Sequence, residues 1–367
     1  MNMQPHNCSK VTEVLLLGFQ NVQRLNFSFF VLLLIMYCVT ICGNLLIILV
    51  VSSSRSLHSP MYFFLTQLSL SDILLTTTIE PNMLHILFYE GRSLSFIGCL
   101  IQFYFSTVSV GLECVLLTVM SYDRYQAICH PLHYTSLMDL KFCLRMLLMS
   151  WLIILTTMLI FFFTVSYLDF CGPNVIDHFF CDLQPLLELS CSDTFIIKME
   201  SLVLSILLAV CPLTVIMVSY VYIISSILKI PTVTGRQKTF STCSAHLTVV
   251  SLFYGSIIII YIFPHQQNAK TLLSLFYTVL TPLLNPIIYS LNNRDIKKAL
   301  GKLIANILKL HFHCTFIVEK KLKCFKALGC RMKLHFLHSH LDYLPENFGA
   351  DSEDQGERFH DVINEME

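Results

Sequence analysis

Charge is scarce in this sequence. Asp, Glu, Lys and Arg make up only 13% of its 367 residues, whereas roughly 25% is usual for a soluble domain. Apolar residues make up 55%. This composition argues against an ordinary soluble domain and indicates that lipid is the main solvent of the chain. The sequence also lacks internal repeats, the feature from which many transporter folds are built.

Seven apolar runs are long enough to cross a membrane, since a hydrocarbon core about 30 Å thick requires roughly 20 helical residues. The runs are Leu25–Val51, Pro60–Ile79, Ile97–Tyr122, Met146–Leu168, Ser201–Leu228, Thr239–Phe263 and Thr271–Leu291. Their only charged residues are Asp72 and Glu113. The first run is too long and too far along the chain for a cleaved signal peptide. The sequence therefore predicts an all-α membrane protein in which residues 25–291 form a seven-transmembrane helix bundle.

The basic residues predict the orientation of the bundle, because Lys and Arg concentrate in cytoplasmic loops. They follow the first, third, fifth and seventh runs, as Arg55, Lys141 and Lys229 illustrate. Residues 1–24 are therefore predicted to be extracellular, and the C-terminus to be cytoplasmic. On the extracellular side, Asn7 begins the glycosylation sequon Asn-Cys-Ser, and we expect it to be glycosylated.

The composition changes after the seventh run. Residues 292–305 are predicted to form a short cytoplasmic helix. Residues 306–367 are basic at first and strongly acidic at the end. We expect the basic part of this atypical tail to lie against anionic lipid and most of the tail to be disordered.

Four of the 15 cysteines lie at or beyond the predicted outer face, where disulfides form: Cys99, Cys171, Cys181 and Cys191. Four cysteines allow three pairings, and the residues alone do not choose among them. A zinc site that includes His178 is an alternative for this loop. Its cysteines are spaced ten residues apart, however, which does not match the short paired spacings of structural zinc sites.

The two acids inside the runs are candidates for function, because a charged side chain within a membrane is costly unless it is paired or hydrated. Asp72 and Glu113 could share a sodium ion or a proton. They could instead belong to a structural hydrogen-bond network with Asn44 and Asn285. The residues leave these alternatives open.

Asp123 and Arg124 stand side by side at the predicted cytoplasmic end of the third run, in MSYDRYQAICHPLHY. Neighbouring side chains of a helix project about 100° apart, so the two are not expected to share a face, although a weak local ion pair is left open. No nucleophile or base is grouped with them, and the edge of a bundle offers no closed pocket. The sequence therefore predicts that the protein is not an enzyme.

The stretch MSYDRYQAICHPLHY resembles the end of the third helix of olfactory receptors, a branch of the rhodopsin-like G-protein-coupled receptors. Four further stretches are similar to that family, in its order and spacing. They are Gly-Asn at 43–44, PMYFFLTQLSLSD at 60–72, KTFSTCSAHLTVVSLFYGS at 238–256 and LLNPIIYSLNNRDIKKAL at 283–300. The resemblance covers about residues 5–305 of the chain.

The resemblance implies roles for individual residues. It implies an activation switch in which an arginine moves toward a G protein. The switch positions are Asp123, Arg124, Tyr125, Tyr220, Asn285, Pro286 and Tyr289. It favours the sodium interpretation of the buried acids Asp72 and Glu113. The disulfides that it implies are Cys99–Cys181 and Cys171–Cys191.

The resemblance also implies a ligand cavity between the third, fifth, sixth and seventh helices, near the outer side. Its lining is mostly apolar with a few hydroxyls, which suits a small, largely hydrophobic ligand. The lining positions are Phe103, Ser106, Thr107, Val110, Gly111, Leu204, Leu208, Tyr254, Ile257, Tyr261 and Thr278.

These implications predict an odorant receptor of the plasma membrane. It would bind small volatile ligands and activate a heterotrimeric G protein of the olfactory stimulatory type, which raises cyclic AMP. The ligand would act by shifting a pre-existing equilibrium. Membrane lipid is expected as a partner, whereas nucleic acid and cofactors are not, apart from sodium. A receptor for a non-odorant metabolite is an open alternative. A small-molecule transporter is a weaker one, because the sequence shows no internal repeat and only two buried acids.

Overall fold

Seven long helices account for most of the chain. The structure, a computed structural model, describes residues 11–18, 26–89, 91–171, 173–262, 274–293, 295–305 and 309. The helices are α1 (Asn26–Ser53), α2 (Pro60–Tyr89), α3 (Phe96–Cys129), α4 (Leu140–Ser166), α5 (Phe195–Leu228), α6 (Val233–Ile262) and α7, which is described as a π turn (Phe276–Leu280) followed by Thr281–Asn292. A second π turn, Ile206–Val210, lies within α5. Each helix corresponds to one of the seven predicted apolar runs.

The helices differ in how apolar they are. By length and composition, α1, α3, α4 and α5 could each cross a membrane. The apolar parts of α6 (Cys243–Ile259) and α7 (Phe276–Leu291) are shorter, and α2 contains Asp72 and Glu80. Large apolar side chains remain exposed along α1, α4 and α5, as is usual for a surface that faces lipid.

Five helices extend well beyond their predicted apolar runs: α4, α5 and α6 begin earlier than their runs, and α2 and α3 end later. α2 was predicted to end at Ile79 but continues to Tyr89, through Pro81. α3 was predicted to end at Tyr122 but continues to Cys129. Apolar composition marks only the part of a helix that lies in hydrocarbon, so it underestimates helices that project into water.

A further helix follows α7 at a slightly different place from the one predicted. Residues 292–305 were predicted to be helical, whereas the described helical residues begin at 295. The side-chain oxygen of Asn293 accepts hydrogen bonds from the backbone N–H groups of Asp295 (2.9 Å) and Ile296 (3.2 Å). Asn293 therefore caps the new helix and separates it from α7.

A small sheet covers one end of the bundle. Its central strand β1 (Glu13–Leu16) pairs antiparallel with β2 (Arg92–Ser95) and parallel with β3 (Val175–Ile176). The side chains of Val14 and Leu16 are completely buried. The sequence did not predict these strands, because each has at most four residues and lies in a segment that connects helices.

Both disulfides lie at the end that carries the sheet. Cys99, near the start of α3, is bonded to Cys181, and Cys171 is bonded to Cys191 within the segment between α4 and α5. These are the two pairings that the family resemblance implied. We refer to this end as the outer end, following the predicted orientation, and to the opposite end, which carries Asp123, as the inner end.

The bundle is organised around α3. This helix packs against α2, α4, α5 and α6, and Leu112, Leu116 and Met120 on it are completely buried. Residues 1–303 form one compact unit, whereas residues 304–367 form a second unit of which only 304, 305 and 309 are described. The predicted tail, residues 306–367, therefore lies almost entirely outside the described residues.

α1 and α7 are held together by a side chain and by close backbone approach. The side-chain amide of Asn44 in α1 donates to the carbonyl of Thr40 in the same helix and to the carbonyl of Pro282 in α7, both at 3.1 Å. One residue earlier, a Cβ on Gly43 would lie 3.1 Å from Cγ of Pro286. Glycine therefore allows the two helices to approach closely enough for the Asn44 hydrogen bond.

We expect Asn44→Ala to destabilise the bundle by about 1 kcal/mol, because hydrogen bonds between membrane helices are typically worth up to about that much. The measurement is the apparent Tm of the purified protein in detergent. Ser52→Ala is the matched control, because the exposed Ser52 hydroxyl bonds only to Ile48 of its own helix. Equal Tm values for the two variants would contradict the role of Asn44.

Candidate functional site

A cavity of about 870 Å³ opens between α3, α4, α5, α6, α7 and the outer-end segments. A cavity of this size accommodates a small organic molecule. Nine of the eleven predicted ligand-binding positions line it. They are Phe103, Ser106, Thr107, Val110, Gly111, Leu204, Leu208, Tyr254 and Ile257.

The other two predicted positions differ. Thr278 is completely buried and does not line the cavity. Its hydroxyl donates to the carbonyl of Ser274 at 2.7 Å. Its neighbour Tyr277 lines the cavity instead. A π turn holds an additional residue per turn, which rotates the following side chains relative to a regular helix. The side chain of Tyr261 lies outside the described residues.

The cavity also has walls that the sequence did not predict. Met158 and Phe161 of α4 contribute to it, as does Phe180 of the segment after α4. Three charged side chains line it as well: Asp182, Glu188 and Lys198. The family resemblance placed the cavity between the third, fifth, sixth and seventh helices. It therefore gave no reason to include α4 or the segment after α4.

The polar groups inside the cavity are mostly occupied by their own helix. The hydroxyls of Ser106 and Thr107 both donate to the carbonyl of Phe103 at 2.9 Å. The Tyr254 hydroxyl stands beside the Cys114 thiol and has no hydrogen-bond partner of good geometry. Because a thiol is a weak acceptor, the Tyr254 hydroxyl is left with a proton to donate, and the exposed Lys198 ammonium is a second donor in the lining.

Gln102 fixes the outer wall of the cavity. Its side-chain oxygen accepts from the backbone N–H of Cys181 at 3.0 Å, and its amide donates to the carbonyl of Thr78 at 3.0 Å. One side chain of α3 thus connects α2 to the disulfide-bonded segment. The disulfide between Cys99 and Cys181 lies one turn away, so covalent and polar contacts hold the wall at the same place.

His178 is a buried group in this wall and not part of a metal cluster. Burial lowers its pKa, an effect that the nearby Asp182 and Asp177 only partly oppose. The neutral imidazole stacks on Phe179, and its Nδ1 accepts from the N–H of Phe180 at 3.4 Å. Within the described residues, no group of three or more His, Cys, Asp or Glu side chains is placed to hold a metal ion.

The two buried acids meet in the middle of the bundle. The side-chain amide of Asn285 in α7 donates to both oxygens of Asp72 (3.2 and 3.0 Å) and to Glu113 (3.4 Å). All three side chains are at most 2% exposed. The other side-chain atom of Asn285, its oxygen, has no partner. Two carboxylates and a free amide oxygen at one point form a set of oxygen ligands suited to a hard cation.

At the inner end, Asp123 and Arg124 pair with each other. The guanidinium of Arg124 donates through Nε (3.0 Å) and Nη2 to one carboxylate oxygen of Asp123. Helix geometry predicted that the two side chains do not share a face. The long arginine side chain nevertheless folds back and reaches its neighbour. Asp123 is fully buried and Arg124 is 14% exposed.

A tyrosine from the next helical segment completes this pair. Tyr134, in the short helix Pro131–Leu137, donates to the second oxygen of Asp123 at 2.8 Å. Burial and the Asp123 carboxylate raise the pKa of Tyr134, so the hydroxyl keeps its proton and remains a donor. The sequence analysis missed Tyr134, although it lies within the quoted motif.

A second inner contact joins α3, α5 and α6 through His246. The imidazole Nδ1 lies 2.8 Å from the Tyr220 hydroxyl, and Nε2 lies 3.0 Å from the carbonyl of Leu117. A carbonyl only accepts, so Nε2 carries a proton and donates it to Leu117. The Tyr220 hydroxyl also donates to the carbonyl of Cys243 at 3.3 Å. Tyr220 was a predicted switch residue, whereas His246 was missed. The sequence feature that could have identified His246 is a lone ionisable side chain within an apolar run.

The remaining predicted positions are less connected. Tyr289 is completely buried, and its hydroxyl has no partner. Pro286 is buried where α7 meets α1. The Tyr125 hydroxyl lies 3.2 Å from Nε2 of His130. Asn7, the predicted glycosylation site, lies outside the described residues.

Comparisons with known proteins identify similar sequences and a similar fold. A sequence model of the family described as olfactory receptor matches residues 33–307. Human (Homo sapiens) olfactory receptor 11L1 is 46% identical over 305 residues, which cover 82% of this chain and 95% of that protein. Rat (Rattus norvegicus) olfactory receptor 1468 is 43% identical over 305 residues, which cover 82% and 97%.

The fold is similar to that of a solved receptor. The crystal structure of squid rhodopsin superposes with a TM-score of 0.64 at 18% identity, over 79% of this chain and 88% of that one. This likeness confirms the predicted helix-bundle fold. The family match covers all seven helices. The chain therefore belongs to the olfactory receptor family and is a multi-pass receptor of the plasma membrane, not an enzyme, that binds odorants and signals through a G protein.

Proposed function

We propose that the outer cavity is the odorant site and that the receptor couples to a G protein of the stimulatory type, which raises cyclic AMP. The observation that carries the proposal is the cavity of about 870 Å³, whose wall includes nine predicted ligand positions. Its lining is mostly apolar, and apolar contact supplies most of the affinity for a small hydrophobic ligand.

The polar groups of the cavity narrow the ligand class. Ser106 and Thr107 already donate to their own helix, so they offer little to a ligand. Tyr254 retains a hydroxyl proton to donate. We infer that the preferred odorants are apolar molecules with one hydrogen-bond acceptor, such as an ester, ketone or ether, placed to reach Tyr254.

Signal transfer follows from the contacts at the inner end. The Tyr220–His246–Leu117 contact holds α5 and α6 against α3, and Asp123 holds Arg124. An odorant that binds better when the inner end is open shifts the population toward that arrangement. Separation of α6 from α3 then frees the Arg124 surface for the G protein.

The buried acids fit a bound sodium ion. Asp72, Glu113 and the free oxygen of Asn285 would supply its oxygen ligands. The ion would neutralise a charge that the described side chains leave uncompensated. In this role sodium stabilises the resting arrangement, because it joins α2, α3 and α7.

The proposed function is tested by cyclic AMP measurements in cells that express the receptor and are exposed to a panel of volatiles. We expect at least one apolar volatile to raise cyclic AMP, and we expect Arg124→Ala to abolish that rise at equal surface expression. Equal responses from the wild type and Arg124→Ala would contradict coupling through this residue.

The ligand class is tested with Tyr254→Phe. A neutral hydrogen bond contributes about 1 kcal/mol, so we expect the half-maximal concentration of an acceptor-bearing odorant to rise roughly fivefold. A hydrocarbon analogue of the same shape should be unaffected. Ser106→Ala is the matched control, because its hydroxyl is already satisfied within α3. A change of the same size for both odorants would contradict a specific hydrogen bond.

The inner restraint is tested with Tyr134→Phe, which removes one hydrogen bond to the buried Asp123 carboxylate. Such bonds to charged groups contribute about 1.5 kcal/mol or more, so basal cyclic AMP should rise several-fold without odorant. Ser136→Ala, an exposed change in the same short helix, should leave it unaltered. An unchanged or lower basal signal in Tyr134→Phe at equal surface expression would contradict the restraint.

A further inference from the structure

Glu80 is a third buried acid, outside the sites described so far. It lies in the outer half of α2 and is 0% exposed. Neither carboxylate oxygen has a hydrogen-bond partner. It does not line the odorant cavity, so it is not placed to contact a ligand there. A carboxylate this deeply buried requires a compensating positive charge or a proton.

Thr76 lies one turn below Glu80 and is also exceptional. It is completely buried, and its hydroxyl has no partner. Its neighbours Thr77 and Thr78 behave as threonines in helices usually do, because each donates to a carbonyl one turn earlier. The Thr76 hydroxyl is therefore available to a group that the protein itself does not supply.

Asp72, Thr76 and Glu80 follow one another at intervals of four residues. Such residues share one face of a helix and rise about 6 Å per step. The face at Asp72 points to Asn285 of α7 and Glu113 of α3. Oxygen-bearing side chains thus continue along α2 from the central acid pair toward the outer end.

No basic side chain compensates this row in the part of the chain that the structure describes. The one ion pair found there joins Arg124 to Asp123 at the opposite end. Gln102, the nearby amide on α3, already uses its N–H on Thr78 and its oxygen on Cys181. The row offers two carboxylates and a hydroxyl oxygen, and oxygen ligands of this kind bind a hard cation.

We propose that Glu80 and Thr76 form a second monovalent-cation site, which takes sodium about two helical turns outside Asp72. A single carboxylate carries one negative charge, so a monovalent ion neutralises it without leaving an excess charge in the bundle. The proposal is separate from sodium binding at Asp72 and Glu113, and each site has its own variant.

The test is the apparent Tm of the purified full-length receptor in sodium chloride and in choline chloride at equal ionic strength. We expect Asp72→Asn to keep part of the sodium-dependent Tm increase of the wild type. The double variant Asp72→Asn with Glu80→Gln should lose that remainder. Binding of radioactive sodium to the same proteins should fall in the same two steps.

Thr76→Val and Thr77→Val form the matched pair of controls in the Asp72→Asn background. Thr76→Val should raise the sodium concentration needed for half the residual Tm increase at least threefold, whereas Thr77→Val should leave it unchanged. Glu80→Gln also replaces a carboxylate by an amide of the same shape, so it is not expected to prevent folding.

Three outcomes would overturn the proposal. The first is complete loss of the sodium response in Asp72→Asn, which leaves only the central site. The second is a residual response that persists in the double variant, which removes Glu80 as the ligand. The third is absence of any sodium response in the wild type, which removes both sites and indicates that Glu80 is protonated. If Asp72→Asn retains the full response and Glu80→Gln alone abolishes it, the Glu80 site stands and the central one fails.

Discussion

The hydrogen bonds of His246 are the constraint on which the resting arrangement depends. This side chain joins three helices at one point, through Tyr220 of α5 and Leu117 of α3. The bond to Leu117 requires the imidazole proton on Nε2, because a carbonyl only accepts. The site is completely buried, so no water replaces either partner while the helices stay together. Separation of α6 from α3 must break the bond to Leu117, and that requirement makes the two arrangements distinct.

α3 relates the other sites to this contact. Its outer part lines the outer cavity through Phe103 and Gly111, its middle carries Glu113, and its inner end carries Asp123. A Cβ on Gly111 would lie 3.2 Å from Ile154 of α4, so the helices are closely packed beside the cavity. Close-packed helices move as rigid bodies. We therefore expect a ligand that changes the spacing of these helices at the outer end to change their spacing at the inner end as well.

The sequence predicted the parts of this structure that follow from composition and motifs. Seven apolar runs predicted seven helices, and the motifs predicted nine of the cavity positions and both disulfides. The features that the sequence did not predict depend on contacts in the folded protein. Thr278 lies in a π turn and is buried outside the cavity lining. A second partner of Asp123, Tyr134, comes from a separate short helix, and β1 pairs with two segments that are distant in the chain. No local pattern encodes these arrangements.

The most direct test of the account measures the distance between the inner ends of α3 and α6. Pulsed electron resonance reports it from spin labels at Leu132, in the short helix Pro131–Leu137 that follows α3, and at Val233, the first residue of α6. These residues are 91% and 73% exposed. The labels require non-cysteine chemistry, because the chain has 15 cysteines. An odorant that raises cyclic AMP, added with the G protein, should lengthen this distance by several ångströms. A distance that stays unchanged while the same odorant raises cyclic AMP would contradict the opening of α6 from α3.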